Sequence, residues 1–438
     1  MTNAVQNVFL LGWDDFHARY LHEVARSEHV RFHPLLRSEE VIYQQEYRIE
    51  DILTKARRVL DSFDGRVDGI ITHWDFPAIP ILAILCEERG LPGPTLEAVL
   101  KCSHKYWSRL EQRKVVPEHI PDFCVVDPHD EGAADRITVE YPFWLKPVTA
   151  YSSALGFHIG DRSALEAALD EAREQIDRIG DPVSELLTRA NPPSEVRALG
   201  GRAMIAEGII DGKELAPEGY VHRGRVKAHG LIDVVRGENG KSIEEVVYPS
   251  TAPDEIGERA TRAAAAVMQQ IGFDDGCFNV EFFWDRRDED KLWIVEINPR
   301  VSQSHSNLFE KVDGISNHAV AVQVALGQAP SFDHGGGPYR QAAKIFWRRY
   351  DNDDAKVTRV PDERDLARFR ERQPDTRIEI DVQPGQRLSE LLDQDAYSWV
   401  LAELHIGGRD RAEIEAKFAE AQELLPFAFD DSSPGLRN

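Results

Sequence analysis

The stretch Asn279-Val-Glu281-Phe-Phe-Trp-Asp285, the polar turn 286–291 and Leu292-Trp-Ile-Val-Glu296-Ile-Asn298-Pro-Arg300 decide how this chain is read. Both arms alternate in polarity about a charged turn, the pattern of an antiparallel hairpin with one packed face. A turn symmetric about Asp288 and Glu289 sets Glu281 directly across from Glu296, and Asn298, two residues on, shares their face. Phe282, Trp284, Trp293, Val295 and Ile297 are then expected on the opposite, core-facing side. Two opposed carboxylates repel one another unless a positive charge offsets them. A Glu, Glu, Asn set offers only oxygen ligands and suits Mg²⁺ held beside substrate phosphates. Arg300, just past the strand end, presents a planar fork for a carboxylate or phosphoryl oxygen. A solvated hairpin face with incidental acids is the competing reading of these residues alone.

Upstream, the first hundred residues alternate strand and helix. Val8–Leu11, Val30–Leu36 and Val67–Thr72 are strand candidates, and helices are expected in Asp14–Arg26, Ile49–Phe63 and Pro77–Arg89. Such repetition with short turns implies a parallel α/β sheet. Leu91-Pro-Gly-Pro94 punctuates its end. Helices are then expected at Thr95–Leu100, Ser103–Lys114, Ala164–Ile179 and Ala260–Ile271, and strands at Phe143–Lys146, Ala203–Ile210, Glu214–His222 and Val226–Val235. Arg189–Gly201 reads as a surface connection. Ser331–Pro338, with three consecutive glycines, reads as a linker to a unit with strands at Gln341–Trp347, Arg377–Val382 and Trp399–Ile406 and a helix over Arg411–Leu424. The tail Asp430–Asn438 is polar and expected to fray.

The 438 residues carry 52 Lys+Arg against 76 Asp+Glu, a net charge of −24. That balance argues against nucleic acid or an anionic membrane as partner, since both need a positive field. The uninterrupted apolar run that a membrane-spanning helix needs is absent, and the N-terminal Met-Thr-Asn-Ala-Val-Gln lacks the regions of a secretory signal. The four cysteines, Cys86, Cys102, Cys124 and Cys277, form no CxxC pair and read as reduced thiols. A cytoplasmic protein is expected.

Val295-Glu296-Ile297-Asn298-Pro299-Arg300 resembles the metal-site signature of the ATP-grasp enzymes. The resemblance extends upstream in order. Leu91-Pro-Gly-Pro-Thr95 followed by Lys105 is similar to the family's helix whose lysine touches the nucleotide phosphates. Phe143-Trp-Leu-Lys146-Pro147 is similar to the strand whose lysine reaches the α- and β-phosphates. The loop Thr149–Gly156 stands where the family closes backbone N–H groups over the phosphates; it has one glycine, with Ser152 and Ser153 as possible donors. Met204-Ile-Ala-Glu207-Gly-Ile-Ile210-Asp-Gly-Lys-Glu214 resembles the adenine hinge. There Glu207 and the backbone near Ile210 would meet the base, and Glu214 the ribose hydroxyls.

This resemblance implies an ATP-grasp fold preceded by a Rossmann-like parallel α/β domain and followed by an α+β domain. The boundaries would fall at 1–94, 95–330 (lid subdomain about 143–201) and 331–438. It implies ATP and Mg²⁺ as cofactors, with Mn²⁺ as a substitute, bound through Glu281, Glu296 and Asn298. Arg300 would contact the transferring phosphoryl group. The implied reaction is that of a carboxylate–amine ligase: an acyl phosphate forms from a small carboxylic acid, an amine attacks it, and ADP and phosphate leave. Tyr397–Arg411 resembles the closing domain of biotin carboxylases, which follow the metal-site Arg with Gln-Val-Glu-His. Here the residues are Ser302-Gln303-Ser304-His305, so Ser304 replaces the acid that serves as base toward bicarbonate, and no Met-Lys-Met biotin motif is present. A biotin-carboxylase-like or acid–thiol ligase and a catalytically silent nucleotide-binding protein are the alternatives. His305 is a candidate for substrate positioning or proton transfer. Arg197, Arg223, Arg225, Lys227 and the Trp347-Arg348-Arg349 cluster are candidates for binding substrate. A homodimer is expected by analogy.

Overall fold

The computed structural model describes residues 5–14, 18, 21–22, 24–26, 28–149, 155–350, 354–391, 394 and 397–430. Parts of the expected helix Asp14–Arg26, the expected phosphate-binding Ser152 and Ser153, and the tail beyond Asp430 lie outside the described residues. The chain divides into two compact units, one of Met1–His229, Pro253–Ser302 and His318–Ser331, the other of Gly230–Ala252, Gln303–Asn317 and Phe332–Asn438. The strand Arg225–Arg236 carries the chain from the first into the second. No described helix is long and apolar enough to cross a membrane. The fold is mixed α/β.

In the first unit the N-terminal strands Gln6–Trp13, Val30–Arg37 and Gly69–Ile71 pair in parallel, with Gln6–Trp13 in the middle. The central strand is buried over Val8, Phe9, Leu10 and Leu11, as a continuous apolar run in a parallel sheet should be. The helix Ile49–Asp61 buries Ile49, Ile52, Leu53, Ala56 and Leu60, a stripe at spacings of three and four. Ala78–Arg89 is apolar on every side over its first nine residues, all of them buried, and stops at Gly90 in the left-handed conformation. Thr95 then caps the helix Leu96–Ser103 by accepting from the Ala98 N–H at 3.2 Å.

Two further sheets complete this unit. Phe123–Val126, Met204–Gly208, Phe143–Pro147 and Phe157–Ile159 lie in that order, all antiparallel. Phe143, Leu145, Met204 and Ala206 pack on Leu165, Leu169 and Ala172 of the helix Arg162–Gln175. The alternation leaves Lys146 and Glu207 on the other face. The expected single helix Ala164–Ile179 is two, Arg162–Gln175 and Asp177–Thr188, and Arg189–Gly201 contains the short helix Ser194–Leu199. The third sheet sets Gly276–Asp285 between Lys291–Asn298 and Lys213–His222.

The hairpin forms, but its register differs from the symmetric one. Asn279 faces Asn298 and Val280 faces Ile297, whereas Phe282 faces Ile294 and Trp284 faces Leu292. Glu281 therefore opposes two residues, Val295 and Glu296, which is a β-bulge. The inserted residue reverses the alternation toward the turn. Leu292 and Ile294 pack in the core, and Trp293 and Val295, expected there, are only half-buried.

The second unit holds Ile243–Tyr248, Gln341–Arg349, Trp399–Gly408 and Arg377–Ile380 in an antiparallel array. Ala343, Ile345, Ala402, Leu404 and Ile406 form one apolar face with Phe369 and Ile414 from the helices Glu363–Arg372 and Arg411–Leu424. Trp347 packs edge-on against Phe418 and Phe427, and Arg348 donates to the Ile243 carbonyl at 2.7 Å and to Ser398 Oγ at 2.8 Å, so this cluster braces the fold.

Gly212, leading into Lys213–His222, has φ +148°, and a Cβ there would stand 2.4 Å from the Trp284 carbonyl oxygen. Gly212→Ala is expected to destabilise the protein by about 1–3 kcal/mol, read as a lowered melting temperature. Gly224→Ala, at φ +73° but in open space, should cost only about 1–2 kcal/mol.

Candidate functional site

The site-forming side chains of the first unit come from three local arrangements. His104 ends the helix Leu96–Ser103 and caps Lys105–Val115, accepting from the Trp107 N–H at 3.3 Å. Its Nε2 meets the Gly200 carbonyl at 3.1 Å, and burial pulls its pKa down to about 4, so it is a neutral cap. The Lys105 N–H bonds the Val148 carbonyl at 2.6 Å, which fixes the first turn against the strand carrying Lys146.

Four residues on, Arg109 lies on the same helix face as Lys105. Its guanidinium is buried and fully engaged: Nε donates to Glu207 Oε1 at 2.5 Å, one terminal nitrogen to Gln112 at 2.6 Å and the other to the Val295 carbonyl at 2.9 Å. Val295 belongs to the bulge, so Arg109 takes up a carbonyl beside the irregularity in the strand pairing. Glu207 gives its second oxygen to Lys146 Nζ at 2.6 Å. Burial alone would push the Glu207 carboxyl up, but Arg109 and Lys146 outweigh it and hold the pKa at about 2.

The hairpin carboxylates sit beside this assembly. Lys105 Nζ is 3.6 Å from Glu296 Oε2, and Asn298 Nδ2 donates to Glu281 Oε1 at 3.0 Å. Burial, then Glu296 and Glu214, push Glu281 well above the ordinary carboxylate range. Glu296 is also opposed by burial, yet Lys105, Lys146 and Arg300 draw it down. The two acids thus share one charge more readily than they carry two. A hard divalent cation would relieve that repulsion, and the donors Glu281, Glu296 and Asn298 are all oxygen-bearing. Among the described residues no three His, Cys, Asp or Glu side chains group as a metal cage. The protein side of such a site would be two carboxylates and an amide, with phosphate and water completing the shell, which is the usual way of holding Mg²⁺. The residues fit the ion.

Arg300 is partly buried and donates to Asp75 Oδ2 at 2.6 Å; desolvation opposes its charge, but Asp75, Glu281 and Glu296 together raise its pKa. Asp75 follows the parallel strand Gly69–Ile71, at the carboxyl end where ligands of such sheets gather.

Of the residues singled out in the sequence, Lys105, Lys146, Glu207, Glu281, Glu296, Asn298 and Arg300 are brought together, and Glu214 is close enough to act electrostatically on Glu281. Ile210 is half-buried in the turn before Lys213–His222. His305 is in the other unit, buried on the helix Gln303–Asp313 with its ring 6.5 Å from Phe309. Arg223 turns to the Gly327 carbonyl, Arg197 to that of Pro192, and Arg225 and Lys227 are exposed. Sequence reasoning missed Arg109 and Asp75. The first was signalled by its spacing from Lys105; the second had only its place after an apolar strand.

Residues 230–331 match the family model described as carbamoyl-phosphate synthase L chain, ATP binding domain. The chain is 27% identical over 245 residues, 54% of its length, to the carbamoyl phosphate synthase large chain, N-terminal section, of Aquifex aeolicus. The match spans 39% of that relative. An L-amino acid ligase from Bacillus licheniformis superposes with a TM-score of 0.74 at 17% identity, covering 98% of this chain and 100% of the other. Biotin carboxylase from Campylobacter jejuni, in its β,γ-ATP complex, superposes with a TM-score of 0.65 at 15% identity, covering 97% and 92%.

A carboxyl held at about 2 in place of its usual 4.5 contributes about 3 kcal/mol of stability. Because the shift is downward, that contribution is whole above about pH 4.5 and is lost as pH falls through about 2. Urea unfolding at stepped pH should show this loss in the wild type and a flatter profile across the same window in Glu207→Gln.

Proposed function

The chain has the ATP-grasp fold, and on that premise we propose that it is an ATP- and Mg²⁺-dependent ligase joining a small carboxylic acid to an amine. The observation that carries the reading is the convergence of Lys105, Lys146 and Arg300 around the Glu296 carboxylate, beside Glu281. Phosphoryl transfer asks little covalent chemistry of a protein; it asks for positive charge around the phosphates and in-line placement of the acceptor. In this proposal Glu281, Glu296 and Asn298 would hold Mg²⁺, which would offset triphosphate charge when bound. Lys146 and Lys105 bind phosphate oxygens, and Arg300 stabilises charge on the transferring group. Glu207 orients Lys146, and Asp75 orients Arg300. No enzyme nucleophile is required, because the substrate carboxylate attacks and the resulting acyl phosphate is the electrophile for the amine.

The likeness to the L-amino acid ligase over the whole chain supports an amine substrate over bicarbonate chemistry, as does Ser304 at the position of the acid in biotin carboxylases. A homodimer in the cytoplasm belongs to the same proposal. Incubation with ATP, Mg²⁺ and paired acids and amines should release ADP and phosphate only when both substrates are present; release of AMP would overturn the acyl-phosphate route. Glu281→Gln should lower Mg²⁺-dependent ADP release at least 100-fold, about 3 kcal/mol in barrier, with an unchanged far-UV circular dichroism spectrum.

A further inference from the structure

One face of the second unit's sheet is polar where its opposite face is core. Ala343, Ile345, Ala402, Leu404 and Ile406 point into the apolar cluster, so the alternation sends Lys344, Glu403 and His405 to the other side. Lys344 and His405 are directly paired across two strands. Lys344 Nζ lies 2.5 Å from Glu403 Oε2 and 3.5 Å from Ser304 Oγ. Asp381, which follows Arg377–Ile380, bonds through its N–H to the Leu401 carbonyl at 3.0 Å. Its Oδ2 and the His405 Nδ1 are buried with no hydrogen-bond partner, and His405 as a whole is only 8% exposed. Burial, with Glu403 adding and Lys344 opposing, pushes the Asp381 carboxyl up to about 7. Burial, then Lys344, Lys311 and Arg377, holds His405 well below its ordinary range.

Stability does not account for this face. A buried ion pair is no better than apolar packing, and an unpartnered buried polar atom is a net cost. A sheet face needed only for packing would be apolar, as the reverse side is. Buried titratable groups with displaced pKa values and unfilled hydrogen-bonding capacity are the signature of a site. The charges present also select the ligand. Lys344 offers a cation, and Glu403 and Asp381 offer carboxylates, on the same face, so a ligand with a single charge would satisfy one kind of group and leave the other buried without compensation. A zwitterion would not.

We propose that this face is the site of an α-amino acid, its ammonium group taken by Asp381 and Glu403 and its carboxylate by Lys344 and Ser304. The proposal rests on the ligase reading above and deepens it by naming a substrate class and the residues that recognise it. Ser304 comes four residues after Arg300 in the chain.

The test is calorimetry on the full chain, first with ADP and Mg²⁺, then with each of the common L-amino acids added, each compared with its deaminated acid and its decarboxylated amine. The expected result is that one or more amino acids bind at least tenfold more tightly than either truncated form. Lys344→Met and Asp381→Asn should weaken that binding at least tenfold while ADP affinity stays within twofold of wild type. Should either variant fail to fold, Ser304→Ala, which removes one hydroxyl, should still weaken it about threefold. The proposal is overturned if no amino acid binds, if a deaminated acid binds as well as its amino acid, or if the variants keep wild-type affinity. Failure of the wild type to bind ADP would instead overturn the ligase reading on which it rests.

Discussion

The buried guanidinium of Arg109 joins three parts of the first unit that are far apart in sequence: its own helix through Gln112, the strand Met204–Gly208 through Glu207 and the hairpin through the Val295 carbonyl. A planar cation with donors in fixed directions can serve three acceptors at once, which a lysine cannot. Glu207, pinned on one oxygen by Arg109, offers the other to Lys146. Val295, pinned at the bulge, precedes Glu296, which faces Lys105. The proposed phosphate lysines and metal carboxylates thus have their positions set by one side chain that would itself touch neither ligand.

That arrangement shows how a chain of net charge −24 can still gather cations around the proposed nucleotide site. The cations are not spread over the surface but drawn inward by specific acids: Lys146 by Glu207, Lys105 by Glu296, Arg300 by Asp75. Each pair keeps its cation partly desolvated and oriented, and in a lower-dielectric setting each charge acts more strongly than it would in water. The same logic recurs in the second unit, where Lys344 and Glu403 hold one another on a sheet face that has no need of charge for packing.

The parallel N-terminal sheet was legible because a buried strand of such a sheet is a plain apolar run, as in Val8–Leu11. Ile49–Asp61 was legible from its stripe. The long helix Ala164–Ile179 was misread because its charged composition carries no signal for the break at Ile176, and the helix Gln303–Asp313 was missed because its buried residues include His305, Ser306 and Asn307. The hairpin was read correctly near Asn279 and Asn298 and wrongly toward its turn, since an inserted residue leaves composition unchanged while reversing every side chain beyond it.

The sequence by itself determined the fold and the identity of the acidic and basic groups at the first unit's site, because strand period, turn chemistry and residue type are local properties. Only the tertiary structure decided which cation answers which acid. The Arg109–Glu207 and Arg300–Asp75 pairs span 98 and 225 residues, and separations of that size leave no periodicity to read. The polar face around Lys344 was likewise invisible, since an alternating strand declares that its two faces differ but not that the charged one is buried.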